Sequence, residues 1–280
     1  MDKSVRQRME RLLLYLLIAV IIAIFMFPIY WMVVSSFRDN AALMSYPPSF
    51  LPLDGTWDNY LKLFGETKHL IYFRNSVIVA GGTVAIALFI SIFAGYAFSR
   101  YRFRFKSTLM TAIISVQIFP VTVIMISLFT FYRDLGLLNT FAGLILADIV
   151  YSLPFTIWFI KSFFDTVPVT LDESAQIDGC GRLRTMFEIV VPLIKPGMAA
   201  IGIYAFLTSW DDFMFGLLIM RSEEMKTLPV GIAQSFMGEY VHDYAGMMTL
   251  SVLASMPVVL VFMFMQKYMI AGLTSGAVKG

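Results

Sequence analysis

The chain has 280 residues, of which 59% are hydrophobic and only 14% charged, against roughly a quarter charged in soluble domains. That composition excludes an ordinary soluble domain and marks a polytopic membrane protein. The formal net charge of +2 says little, and the lone Cys180 excludes an internal disulfide or a cysteine metal cluster.

Residues 1–11 are polar and basic, with Lys3, Arg6, Arg8 and Arg11. An apolar run over 12–34 then suffices for one crossing, since about 30 Å of hydrocarbon takes roughly 20 helical residues. It is too long for the apolar core of a secretion signal and has no small-x-small cleavage site. A polar external segment follows, with turn signals at Pro47-Pro48, Pro52 and Asp54-Gly55 and a short helix expected around Trp57–Phe64. Further spans are expected at 71–99, 108–132, 140–164, 197–220 and 245–266, with a tail over 267–280. The fold class is therefore all-α: one transmembrane domain over 1–280 with six helices and a polar excursion at 165–196.

Arg100, Arg102, Arg104 and Lys106 alternate with aromatics. In this setting the run reads as a cytoplasmic loop with interfacial rings, not as a nucleic-acid surface. Six spans put both termini on one side. That side carries four Lys+Arg before the first span, four over 100–106, four over 161–196 and two in the tail. The opposite side carries seven. The bias places both termini and the 165–196 excursion in the cytoplasm.

The excursion has an internal pattern. Thr170 and Glu173 have the spacing of a capping box, Asp172 and Glu173 put negative charge at a helix start, and Gly179 permits a left-handed turn. A short exposed helix, a turn and a second amphipathic segment read as a docking surface.

Within the spans, Gln117, Asp148, Trp210 and Asp211 are candidates for a solute path, with Asp212 beside them. Intramembrane carboxylates are costly and normally face a bundle interior or a wet cavity. Trp210 has a flat face that suits a sugar ring, although buried packing is the commoner role of tryptophan. The bland alternative for Asp211 and Asp212 is a helix-broken region with no solute contact. Pro120, Pro154, Pro257 and Gly81-Gly82 permit kinks, and the 19 methionines read as core filling. His69 and His242 lie far apart, so a His-rich metal site is not expected. No G-x-x-x-x-G-K-[ST], G-x-S-x-G or H-E-x-x-H sequence occurs. No active site is expected, and an active transporter built on this chain needs energy from a partner or from an ion gradient.

The excursion resembles the signature of permease subunits of bacterial ABC importers: Glu-Ala-Ala, three residues, Gly, nine residues, Ile, one residue, Leu-Pro. Here it reads Glu173-Ser174-Ala175, Gly179, Ile189 and Val191-Pro192, with every spacing kept and mild departures at Ser174 and Val191. Further stretches are similar to the carbohydrate branch, near the second permease subunit of maltose-type systems. They are Phe27-Pro-Ile-Tyr-Trp31 with Ser35-Ser-Phe37, Phe73-Arg-Asn-Ser76, Gly95-Tyr-Ala-Phe-Ser-Arg100, Leu135-Gly-Leu-Leu-Asn-Thr140, Leu228-Pro-Val-Gly-Ile232, and Gln266-Lys-Tyr268 with Gly272–Gly280.

The resemblance implies a non-catalytic subunit of an inner-membrane sugar importer, half of a translocation pathway. It implies ATPase coupling through Leu171, Asp172, Glu173, Ser174, Ala175, Asp178, Gly179, Arg182 and Pro192. It further implies an ATPase-contacting tail at Ser275, Gly276, Ala277, Val278 and Lys279, and a binding-protein loop at Phe236, Met237, Gly238, Glu239 and Tyr240. The implied partners are a second homologous permease, a cytoplasmic ABC ATPase dimer, an extracytoplasmic sugar-binding protein and the lipid bilayer, with no nucleic acid. No cofactor is implied on this chain; ATP and Mg belong to the partner ATPase. The alternatives are an importer permease for a non-sugar solute, an ion-coupled secondary transporter, for which no inverted repeat is visible, and a membrane scaffold.

Overall fold

The computed structural model describes residues 3–51, 55–236 and 243–277, with side chains described between 7 and 266 of these. The described residues form helices and connecting turns. The chain divides into two compact units, Met1–Thr67 with Ile232–Ser255, and Lys68–Gly231 with Met256–Gly280.

The first unit contains α1 (Lys3–Ser36), α2 (Asn40–Leu43) and α3 (Asp58–Gly65). No residue in the most apolar stretch of α1 is buried within the chain. The helix end is pinned by polar groups. Asn59 Nδ2 donates to the carbonyls of Ser36 (3.0 Å) and Arg38 (2.6 Å), and Ser36 Oγ pairs with the Tyr60 hydroxyl at 2.8 Å. Phe37 packs edge-on against Trp57, with centroids 4.9 Å apart. The helix expected near 57–64 is therefore α3, and it serves to hold the exit of α1.

The second unit opens with α4 (Thr67–Arg100), the span expected at 71–99. The stretch expected as one span at 108–132 is instead α5 (Lys106–Ser115), a 3₁₀ turn over Val116–Ile118 and α6 (Val121–Asp134). The two arms meet at 96°. The cause is Pro120: a residue before proline is driven from the helical region, and Phe119 lies at φ −73°, ψ 127°. By contrast Pro154 lies within the continuous helix α7 (Phe141–Thr166), which Thr140 caps by accepting from Gly143 N–H at 3.0 Å.

The excursion follows as α8 (Val169–Ile177), α9 (Arg182–Arg184), a π-helical turn over Thr185–Val190 and α10 (Val191–Leu193). Wider turns directly ahead of Pro192 fit a residue that has no N–H to continue an α-ladder. Next come α11 (Lys195–Trp210) and, across a break at 211–213, α12 (Met214–Ile219), where a single span over 197–220 was expected. A 3₁₀ turn over Glu223–Met225 leads to α13 (Leu228–Phe236), and α14 runs over Tyr244–Ala277.

Four helices are long and apolar enough to cross a membrane among the described residues. Two bent pairs, 106–134 and 182–210, bring the number to six if each is one span. Lipid tails are as apolar as the helix faces, so packing rather than water exclusion must hold such helices together, and small residues let them approach. At Gly95 of α4 an added Cβ would lie 2.3 Å from Ile160 Cγ2 of α7. That contact sits in a buried cluster of Ile92, Tyr96, Ile160, Phe164, Met186, Val190 and Ile201, joining α4, α7, the π turn and α11.

Candidate functional site

Two regions of the second unit carry the sequence-derived candidates. The first is α8 and its surroundings. The expected capping box does not form. The helix starts at Val169 behind Pro168 (φ −57°, ψ 133°), so Thr170 falls inside the first turn, where its hydroxyl cannot serve as a cap. Proline presets the entry dihedral instead. The C-terminal end is built by backbone alone: Gly179, at φ +83°, donates to Gln176 O at 3.1 Å, and Cys180 N–H returns to Ala175 O at 2.9 Å. This is a Schellman closure, in which two of the otherwise orphaned carbonyls are satisfied. Asp178-Gly179 thus ends the helix.

The helix has two faces. Asp172 and Ala175 are buried, whereas Leu171, Glu173, Ser174 and Gln176 are exposed and Ile177 is 86% exposed. Asp178, Gly179 and Arg182 are also exposed, and Pro192 is half-buried. Arg182 lies over the Tyr101 ring at 5.5 Å. The result is a mixed apolar and acidic surface on a short helix with both ends fixed.

Beneath it lies a cluster that the sequence reading missed. Arg100, the last residue of α4, donates from Nε to Asp172 Oδ2 at 3.0 Å, and Tyr96 donates its hydroxyl to Asp172 Oδ1 at 2.7 Å. Both ionic side chains are nearly solvent-free, at 7% and 5% exposure. In the sequence Arg100 opens the basic run; a guanidinium closing an apolar helix five residues after Gly95 is the signal that sets it apart.

The second region is a cavity of about 270 Å³ lined by Asp148, Tyr151, Thr208, Asp211, Asp212 and neighbouring apolar residues. It brings together two of the expected path residues, Asp148 of α7 and Asp211 of the break after α11. Gln117 reaches the same neighbourhood by donating to the Tyr151 carbonyl at 3.3 Å. Asp148 is buried and accepts from Ser209 Oγ at 2.5 Å. Asp212 turns toward the protein, accepting from the N–H groups of Phe215 (3.1 Å) and Gly216 (2.8 Å) at the start of α12. Trp210 is not on the cavity: it stacks on Phe206 and meets Phe73 edge-on, at 3% exposure. Irregular backbone at membrane depth is tolerated where it is buried in protein or lines a wet cavity. The break at 211–213 lies on this cavity, and the break at 119–120 adjoins it through Val121.

A larger groove of about 820 Å³ between α4, α11 and α14 is walled almost wholly by carbon, from residues such as Val84, Leu88, Met198 and Phe206. It offers a polar solute few partners.

In the first unit, the chain ahead of α14 is closed at its base. Asp243 N–H donates to Phe236 O at 3.2 Å, and Asn40 bridges Asp243 (2.8 Å) and Ala245 N–H (3.0 Å). Phe236 is buried there; Met237, Gly238, Glu239 and Tyr240 lie outside the described residues. The backbone of α14 includes Ser275, Gly276 and Ala277, whose side chains, like all of Val278 and Lys279, also lie outside them. No group of three or more His, Cys, Asp or Glu suited to a metal ion occurs among the described residues.

This arrangement is the fold of an ABC transporter permease. The chain superposes with a TM-score of 0.83 on a chain of a bacterial ABC transporter that imports the acidic polysaccharide alginate, covering 96% of this chain and 99% of that one at 22% identity. Residues 87–275 match the family described as binding-protein-dependent transport system inner membrane component, and the chain belongs to that family. Among its relatives is the trehalose/maltose transport system permease protein MalG of Thermococcus litoralis, 32% identical over 98% of this chain and 99% of the relative. Another is the galactooligosaccharides permease protein GanQ of Bacillus subtilis, 34% identical over 100% and 99%. A third is the sulfoquinovosyl glycerol permease protein SmoH of Agrobacterium fabrum, 34% identical over 91% and 89%. This chain is accordingly a multi-pass membrane permease.

Proposed function

We propose that the chain is the non-catalytic permease subunit of an ATP-driven, binding-protein-dependent sugar importer. The observation that carries this reading is α8. It is a nine-residue helix with fixed ends that keeps its Asp172–Ala175 side buried and offers Leu171, Glu173, Ser174 and Ile177 outward. Such a surface suits a cleft on a cytoplasmic ATPase dimer. The carbohydrate names of the full-length relatives favour a sugar as solute.

On this reading a second, homologous permease completes the pathway, and the bare apolar stretch of α1 is available to it or to lipid. The Lys+Arg bias supports cytoplasmic termini in a bacterial inner membrane. A sugar-loaded binding protein docks outside, near the chain between α13 and α14, and favours an outward-open pathway. ATP-driven closure of the ATPases moves α8, and hydrolysis resets the bundle. The path on this chain runs past Asp148, Asp211 and Gln117, with Trp210 packed behind. Hydrogen-bonding groups around a small cavity fit sugar hydroxyls better than the apolar groove does.

The test is to isolate the complex from native membranes in mild detergent. The reading expects a co-purifying ATPase, a second permease and a binding protein that holds a sugar. A binding protein holding an amino acid or a metal would move the solute out of the carbohydrate class.

A further inference from the structure

The guanidinium of Arg100 joins three helices at one point. Nε binds Asp172 of α8 at 3.0 Å. One terminal nitrogen donates to Phe164 O (3.0 Å) and Ser99 Oγ (3.2 Å), and the other to Val167 O (2.9 Å). Phe164 and Val167 are at the C-terminal end of α7, where the last carbonyls and the negative end of the helix dipole favour a cation; Phe164 O also accepts from Val167 N–H at 3.1 Å. Of the five N–H groups that an arginine carries, four are placed. The carboxylate of Asp172 is shared with Tyr96, one turn back on α4. Ser99 extends the cluster to Asp165 at 2.6 Å, and Lys161 closes it at 2.5 Å.

These bonds bear on how force crosses the protein. The outward side of α8 offers a docking surface, and its inward side ends on Asp172. Asp172 is held by the last two turns of α4 and, through Arg100, by the end of α7. A buried charge pair of this kind is weak evidence of net stability, since desolvation offsets attraction; its directional bonds to Asp172, Phe164 and Val167 tie three helices together. Removing either partner leaves the other charge buried and unpaired.

We propose that Arg100, with Asp172 and Tyr96, is the positioning cluster through which displacement of α8 reaches the spanning helices α4 and α7. The proposal rests on the docking reading of α8. Arg100 touches neither solute nor nucleotide on this account; it converts movement of the dock into movement of the bundle. Lysine is a poor replacement, because one ammonium cannot reproduce a planar fork spread over three helices.

The experiment uses the intact complex purified with its ATPase and its sugar-loaded binding protein. It compares wild type with Arg100→Gln, Arg100→Lys, Asp172→Asn and Tyr96→Phe. Three quantities are read: ATPase subunits retained per permease, basal ATP hydrolysis, and the factor by which the binding protein stimulates hydrolysis. The expected result is retained ATPase and basal hydrolysis with stimulation reduced at least about fivefold in Arg100→Gln, and stimulation reduced at least as far in Asp172→Asn. Tyr96→Phe, which removes one hydrogen bond and no charge, is expected to fall between these and wild type. A merely structural role would lower retention, hydrolysis and stimulation together, and that pattern overturns the proposal, as does unchanged stimulation. If Arg100→Gln fails to assemble, the charge-conserving Arg100→Lys decides by the same readout, with retained ATPase and reduced stimulation expected. A wild-type complex that retains no ATPase overturns the docking reading itself; a coupled wild type with unaltered variants overturns this inference alone.

Discussion

Gly179 and Gly181 stand two residues apart, and an added Cβ would meet no atom within 4 Å at either. They differ in backbone and in place: Gly179 closes α8 at φ +83°, whereas Gly181 precedes α9 as its N-cap at φ −68° and ψ 155°. Alanine at 179 must therefore either adopt a left-handed conformation, at roughly 1–2 kcal/mol, or release the two hydrogen bonds that close α8. Since about 1.4 kcal/mol is a factor of ten in an equilibrium, Gly179→Ala is expected to weaken ATPase association by about five- to thirtyfold. Gly181→Ala costs nothing sterically and trims unfolded-chain freedom, against the poorer N-cap preference of alanine at the start of α9, so it is expected to stay within about 1 kcal/mol of wild type. Asparagine, which tolerates the left-handed region, is expected to restore part of the loss at 179. The assay is titration of purified ATPase onto the solubilised permease. Equal affinities for Gly179→Ala and Gly181→Ala would refute the reasoning, because only the first places a side chain in the left-handed region.

Glu173→Lys reverses an exposed charge on the outer side of α8, and is expected to abolish ATPase retention while membrane insertion is unchanged; pull-down alongside membrane fractionation checks both. Trp210→Ala removes a ring buried between Phe73 and Phe206 and is expected to cost about 3–5 kcal/mol, seen as a lowered melting temperature in detergent. Asp211→Ala, at an exposed position on the cavity, is expected to leave melting within about 0.5 kcal/mol while slowing transport; unaltered rate and selectivity would remove Asp211 from the path. Glu223 is held below the ordinary carboxylate range by its hydrogen bond from Lys226, then by that from Tyr72. A depressed value means the contribution is present above the ordinary value of 4.5 and is lost as pH falls through the folded value. Amide exchange in the 221–228 turn is expected to quicken below that pH in wild type, and Glu223→Gln is expected to remove the pH dependence; a retained dependence assigns it to another group.

The periodicity and length of apolar runs made the spanning helices legible, since α4 and α7 are bounded by abrupt changes in polarity. The breaks were less so. Pro28, Pro154 and Pro257 lie inside continuous helices while Pro120 ends one. A proline permits a break, and the neighbours that re-satisfy its freed carbonyls decide whether it happens. The 211–213 break has no proline at all; it follows from Asp212 capping α12. The spacing of Glu173, Gly179 and Pro192 located the excursion, and Gly179 revealed its left-handed turn because so few residues adopt one. The capping box does not form because Pro168 takes the N-cap and the helix starts at Val169, which leaves Thr170 inside the first turn. Arg100 was hidden by its company: among Arg102, Arg104 and Lys106 it looked like one more solvated charge, and only the packing of α4 against α7 and α8 distinguishes it.

The central claim is that energy enters this permease from an ATPase through α8. The direct measurement is uptake into proteoliposomes containing the purified complex, using the sugar found on its binding protein, with ATP supplied on the α8 side. The account requires uptake that depends on ATP and on the binding protein and is insensitive to collapse of proton and sodium gradients. Uptake that continues without ATP and follows either gradient would contradict it.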